Sequence, residues 1–292
     1  MALSESRKRK LGMLVKSLSR GDFEGASEVL RACGPEVKTG PAKPQPLALP
    51  DACPGVERRS GHLPYWHVFR RLEELTEGDT SIAEEYSVVM RGARRRLDEL
   101  TASAELCLAS DRRPEDLLFM DIETCGLGGT PVFLVGTMRY RDDGLVFEQS
   151  FARHYGEEPG VISAFAERLE QATMLVTFNG KSFDMNQLAE RAIFHGMGID
   201  KHAKPHLDLL HESRRFWRGQ VPNCRLQTLE QCLFARRRVG DIPGSAIPDA
   251  YHRFVQSGDA REVRDIMHHN LLDLLTMAQI LCAMLTGRGP DW

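Results

Sequence analysis

The chain has 292 residues, 42% hydrophobic and 27% charged, an ordinary balance for one large globular domain or a domain with an appendage. Its net charge of −3 excludes a global basic field, so any nucleic-acid partner must be held by local patches and by metal. Seven cysteines without a C-x-x-C read as reduced thiols in a cytoplasmic protein. The first ten residues carry no apolar signal core, and no run approaches the ~20 apolar residues that cross a bilayer, so no membrane partner is expected.

Taken in order, residues 3–32 have helical spacing (Leu11, Leu14, Val15, Leu18, Ala26, Val29, Leu30), with Arg7-Lys8-Arg9-Lys10 as a solvated basic face. From Gly34 to Pro64 lie seven of the fifteen prolines, the composition of a linker or extended arm. Val68, Phe69, Leu72 and Leu75, then Ile82, Tyr86, Val89, Met90, Leu97 and Leu100, predict helix over 65–107, with Arg94-Arg95-Arg96 as a second basic cluster. The domains expected are therefore a helical N-terminal extension, 1–108, and an α/β domain, 109–292.

At Pro114 the pattern turns to strands. Leu117–Ile122 reads as a buried strand. Val132–Tyr140 and Leu145–Ala152 read as a hairpin turned at Arg141-Asp142-Asp143-Gly144, with Gly supplying positive φ. Gly126-Leu127-Gly128-Gly129 is a tight loop, not a dinucleotide-binding G-x-G-x-x-G. A helix over about 159–171 and a strand over Met174–Phe178 follow. Asn179-Gly180 breaks the chain before a helix that runs to about Phe194, with Ser182 as its expected N-cap and Gly196 as its stop. His206-Leu207-Asp208 is a short strand ending in a cap. Helices are expected over Leu209–Trp217 and Leu226–Phe234, with Arg214, Arg215, Arg218 and Arg236-Arg237-Arg238 as a basic wall for phosphates. After a Pro/Gly-rich loop, 241–248, the last helix covers about 260–286, opened by an Asp259/Glu262 capping box and closed by Gly287 and Pro290.

Chemistry gathers at Asp121-Ile122-Glu123. Strand side chains alternate, so Asp121 and Glu123 share a face while Ile122 enters the core. Two adjacent carboxylates repel, and a hard divalent cation with a preference for oxygen relieves them. Asp184 lies in the first turn of a later helix. Asp273 sits between two leucines and shares a helical face with His269, four residues earlier. Four acids, each attached to a strand end or helix face, fit one shared metal site better than four unrelated placements.

Their order resembles the DEDD branch of the ribonuclease-H-like superfamily. Asp121 through Gly129 resembles its first exonuclease motif, Val176-Thr177-Phe178-Asn179-Gly180-Lys181-Ser182-Phe183-Asp184 its second, and His269-Asn270-Leu271-Leu272-Asp273 its third. With His206–His211, Cys224–Glu230 and Asp241–Gly244 between them, these segments are similar to the bacterial YprB-type family of exonucleases predicted from sequence. The likeness covers about 115–285.

The resemblance implies a ribonuclease-H-like mixed β-sheet flanked by helices and a 3′–5′ exonuclease acting on single-stranded or fraying nucleic-acid ends. Asp121, Glu123, Asp184 and Asp273 would hold two divalent ions, Mg²⁺ or Mn²⁺, with Asp121 between them. His269 would orient or deprotonate the attacking water. His268 fits an alternative H-x-x-x-x-D spacing, and helical geometry favours His269. Asn179, Lys181, Arg214 and Arg215 would contact substrate, with Lys181 against the scissile phosphate and Phe183 or Trp217 stacking on bases. Cys125 departs from the usual Thr. Two other readings compete: a non-catalytic nucleic-acid-binding module of the same fold, and a zinc site built from His195, His202, His206 and His211. DNA and RNA are not distinguished.

Overall fold

The computed structural model describes residues 45–76, 80–92 and 102–290. The helix expected over 3–32, the first part of the Pro-rich stretch and the Arg94-Arg95-Arg96 cluster lie outside these. Seven strands form one mixed sheet: β1 (Val56–Ser60), β2 (Leu63–Arg71), β3 (Leu117–Thr124), β4 (Val132–Arg141), β5 (Gly144–Phe151), β6 (Met174–Thr177) and β7 (His206–Asp208), in the order β1-β2-β5-β4-β3-β6-β7. Neighbours from β1 to β3 run antiparallel, and β6 and β7 add in parallel. Helices cover both faces: α1 (Leu49–Ala52), α2 (Leu72–Leu75), α3 (Ser81–Gly92), α4 (Ala104–Ser110), α5 (Glu158–Glu170), α6 (Asp184–Phe194), α7 (Leu209–Trp217), α8 (Leu226–Phe234), α9 (Ile247–Ser257) and α10 (Arg261–Thr286).

Period-two alternation along β3 divides the core. Leu118, Met120 and Ile122 pack with Phe133, Phe165, Leu188 and Tyr251 on one face. Leu117 and Phe119 pack with Tyr86, Trp217, Leu274 and Leu281 on the other. Asp121 and Glu123 continue the second row, so their side chains stand on the face that α10 crosses. The strand runs on through the acid pair to Thr124 and is irregular between Glu123 and Thr124, beyond the expected end at Ile122. β6 pairs only with 117–119, which leaves the acid-bearing half of β3 open on that side.

Several expectations are corrected. Residues 56–71, read as linker and then helix, are two strands. Val68 and Phe69 mimic helical spacing, but β2 lies between β1 and β5, with Tyr65–Val68 all buried. Helix does form at 81–92 and 104–110, where Ala83, Tyr86 and Met90 fall on one buried stripe. The β4–β5 turn takes its positive φ at Asp142 (52°) and Asp143 (60°), a two-residue loop, while Gly144 already pairs with Arg141. Ser182 does not cap α6. No side chain caps α6; Asp208 of β7 instead holds the turn before it, accepting the backbone N–H groups of Asn179 (2.8 Å) and Lys181 (3.1 Å), and caps α7 through Leu210 N (3.0 Å). The Asp259/Glu262 box is absent because Glu262 pairs with Arg253 instead. The 241–248 loop leads directly into α9, where Pro248 fits the first helical turn. By length and hydropathy α10 could span a membrane, contrary to the count of apolar runs, yet 78% of its apolar window is buried inside this fold. The six described cysteines are free thiols.

β2 is locked to α5 through Gly160, where an added Cβ would stand 2.2 Å from the carbonyl oxygen of Pro64. Gly→Ala within a helix ordinarily stabilises by ~0.5–1 kcal/mol. Here overpacking reverses the sign, and Gly160→Ala is expected to cost ~1–3 kcal/mol in urea unfolding. A stabilised variant would contradict the packing of 63–71 against α5.

Candidate active site

Three ties bring the acids together. Asn270, fully buried on α10, donates from Nδ2 to Asp121 Oδ2 (2.8 Å) and to the Asp121 carbonyl (3.2 Å). Its own Oδ1 accepts from Gln149 Nε2 (2.9 Å), which also donates to the Met267 carbonyl (2.8 Å). The helix can approach this closely because Gly136, opposite Asp121 in the sheet, has no side chain. A Cβ there would lie 1.9 Å from Asn270 Oδ1. On the open side of β3, the Asp184 carboxylate accepts the backbone N–H of Ile122, between Asp121 and Glu123. Asp273 follows one turn after Asn270 and faces His269, with 3.7 Å between Oδ2 and Nε2.

The electrostatics follow from this convergence. Burial raises Asp121 well above the ordinary carboxylate range, and the charges of Asp273, Glu123 and Asp184 push it further. Glu123 is raised well above its range by burial, then by Asp273, Asp184 and Asp241. Burial brings Asp184 from 3.8 to about 7, with Asp208 and Asp273 adding to the rise. Asp273 is also raised by burial, although Arg238 and His269 oppose the shift.

Two neighbours of this cluster were missed at the level of sequence. Asp241, in the α8–α9 connection, lies with both carboxylate oxygens 2.9 Å from His269 Nδ1. A carboxylate accepts, so Nδ1 carries the hydrogen and Nε2 turns toward Asp273. Arg238 Nη1 lies 2.6 Å from Asp273 Oδ1 and 3.3 Å from Asp241 Oδ2. The available signals were the 241–244 segment and the arginine run, and nothing in their spacing pairs them with α10.

Other expected site residues stand apart. The Lys181 ammonium bonds Glu105 (3.0 Å) and lines a cavity of about 410 Å³ with Lys201, His202 and Lys204. Asn179 serves the turn, with φ of 69° and its N–H on Asp208. Arg214 and Arg215 are exposed on α7, but Arg236 and Arg238 turn inward to Glu230 rather than forming a solvated wall. Trp217 is core, and Phe183 packs against the core. His268 is exposed and His269 buried. The four imidazoles of the zinc reading are not gathered as ligands among the described residues: His195 bonds Glu158, His206 bonds Thr177 and lines the Lys181 cavity with the exposed His202, and His211 is exposed. Burial lifts the Cys125 thiol to about 12, so it stays protonated beside the acids.

The donor set fits a hard divalent cation: all oxygen, partly withdrawn from solvent, and mutually repelling. Asp273 Oδ1 is buried without a well-directed hydrogen bond, its contact with Arg238 being close but off-axis. Among the described residues, no three acid, His or Cys side chains are already drawn into ligating geometry. Asp121 is turned toward Asn270 and Asp273 toward Arg238.

Each of these carboxylates has a folded pKa above its unfolded value, so the folded chain binds more protons. Metal-free stability should therefore fall as pH rises from about 4 through about 7. A cation relieves only the ionised cluster. Saturating Mn²⁺ is expected to raise Tm by about 5 °C or more at pH 8 and by little at pH 5, in calorimetry with and without EDTA. Equal shifts at both values would rule out binding at these acids.

The RNase_H superfamily model matches residues 118–285. A 176-residue stretch is 32% identical to the uncharacterized protein YprB of Bacillus subtilis (strain 168), covering 58% of this chain and 42% of that protein. The chain thus spans less than half the length of this relative. Among solved structures, a family B DNA polymerase from the archaeon Pyrobaculum calidifontis is 18% identical, with a TM-score of 0.45 over 58% of this chain and 24% of the polymerase. The match runs from β3 to the end of α10 and includes every element that carries the acid cluster: the chain belongs to the RNase_H superfamily.

Proposed function

We propose that this chain is a metal-dependent nuclease, a DEDD-type 3′–5′ exonuclease acting on single-stranded or fraying ends of DNA or RNA. The observation that carries the reading is the convergence of buried Asp184 and half-buried Asp121, Glu123 and Asp273 around the Ile122 backbone, where their charges raise one another's pKa values. A fold gains no stability from such a cluster, and a cation-loaded site for an anionic substrate explains why it is kept.

These four side chains would hold the two divalent ions, Mg²⁺ or Mn²⁺. When bound, the ions supply charge neutralisation and Lewis acidity toward a phosphoryl oxygen. The chain's own groups do the rest. Asn270 and the Ile122 amide hold Asp121 and Asp184 in place. The Asp241–His269 pair leaves Nε2 free to take the proton of a water attacking phosphorus. As the new P–O bond forms, the bond to the 3′ oxygen of the preceding nucleotide breaks. That oxygen takes a proton from solvent, and a nucleoside monophosphate leaves. Arg214 and Arg215, exposed on α7, would contact the phosphates of the incoming strand, with Asn179 and Lys181 at its flank.

The test is end-labelled single-stranded DNA and RNA with Mg²⁺ or Mn²⁺. A ladder shortening from the 3′ end, abolished by EDTA and reduced at least ~10²-fold in Asp121→Asn, is expected. Intact substrate with a retained gel shift would replace this reading with a binding module of the same fold.

A further inference from the structure

Among the described residues, Arg238 is the one arginine or lysine in a direct ion pair with one of the four carboxylates. Its side chain is only 5% exposed, and it meets three acids from three places in the fold. Nε donates to Glu230 Oε2 of α8 at 2.7 Å. Nη1 reaches Asp241 Oδ2 at 3.3 Å and Asp273 Oδ1 at 2.6 Å. Glu230, 1% exposed, also pairs with Arg236, whose Nη2 donates to Thr276 on α10 (2.8 Å). Glu230 therefore anchors the guanidinium from behind, and its free edge faces the site.

Asp241, in turn, holds His269 Nδ1. One planar group thus touches Asp273 directly and the imidazole through a single carboxylate. Asp273 is left with Oδ1 against Arg238 and Oδ2 toward His269 Nε2. A guanidinium has five N–H donors in a rigid fork, which suits it to hold several carboxylates at once. An ammonium, a single point charge on a flexible stem, is not equivalent.

We propose that Arg238 is a positioning residue of this site: it fixes the Asp273 carboxylate for the divalent ion and, through Asp241, the ring of His269. The proposal rests on the nuclease reading for its meaning, but it can be tested apart from it. Coulomb's law alone predicts that removing a positive charge beside four carboxylates strengthens cation binding. Loss of positioning predicts the opposite sign, so the direction of the change separates the two. Arg238 lies in a connection rather than in a helix or strand, and Arg236 stays on Glu230 when it is replaced, so the variants should fold.

The experiment titrates Mn²⁺ by the loss of its free EPR signal, using the full chain as wild type, Arg238→Met, Arg238→Lys and Asp241→Asn. Melting temperature and single-strand cleavage are read in parallel. Arg238→Met should bind Mn²⁺ about 10–100-fold more weakly, the usual scale for groups that orient metal ligands. Arg238→Lys should recover most of the melting temperature but not the affinity. Asp241→Asn should keep Mn²⁺ affinity within about 3-fold and lower kcat ~10–100-fold at unchanged KM. Wild-type or tighter Mn²⁺ binding by Arg238→Met overturns the proposal, as does full recovery of affinity in Arg238→Lys. If Arg238→Met does not fold, the Lys and Asp241 variants decide alone. A wild-type chain that binds Mn²⁺ without cutting defeats the nuclease reading and leaves the positioning result standing. A chain that binds no Mn²⁺ defeats both.

Discussion

Four carboxylates crowd around one short length of strand, Asp184 buried and the other three half-buried, and the rest of the structure answers that constraint. Two unit charges 4 Å apart repel by ~4 kcal/mol at an effective dielectric of 20, before the loss of hydration is counted. The protein meets part of this with the Asn270 amide on Asp121, the Ile122 N–H on Asp184 and the Arg238 guanidinium on Asp273. For all four acids, burial and mutual repulsion still outweigh these donors, since each pKa moves upward. The residual imbalance is what a bound cation would relieve.

The backbone is arranged to make that crowding possible. β6 stops short, so Asp184 takes the place of a neighbouring strand as the acceptor for Ile122 N–H. Gly136 opens a slot in β4 that admits the Asn270 amide, and Gln149 from β5 fixes which way that amide points. The core on both sides of α10 resists any shift that would lengthen its link to β3. Site geometry and core packing are therefore one problem in this fold.

Some elements were plain in the chain because their signals are local. The D-x-E at the end of an apolar run, the β4–β5 hairpin, α5, α6 and α10 all rest on short-range periodicity and punctuation, and all appear near their expected places. Other elements were not legible. β2 depends on pairing with β5, distant in sequence, and β1 on pairing with β2, and an amphipathic helix spacing across Val68, Phe69 and Leu72 hides that partnership. Caps were misassigned for the same reason. Ser182 is the local candidate for α6, yet it makes no cap, and Asp208 from the next strand holds the turn before that helix.

For the site, residue types and spacing alone determined that Asp121 and Glu123 share a face, that Asp273 and His269 share another, and that an all-oxygen set of acids suits a hard cation better than a soft one. These statements follow from the pleat of a strand, the pitch of a helix and the chemistry of carboxylates. Only the tertiary structure decided that Asp241 orients His269, that Arg238 rather than a solvent ion sits on Asp273, and that Lys181 turns to Glu105. Each of these contacts joins groups far apart in sequence or in separate elements. Their geometry is set by how helices dock on the sheet, which no local pattern encodes.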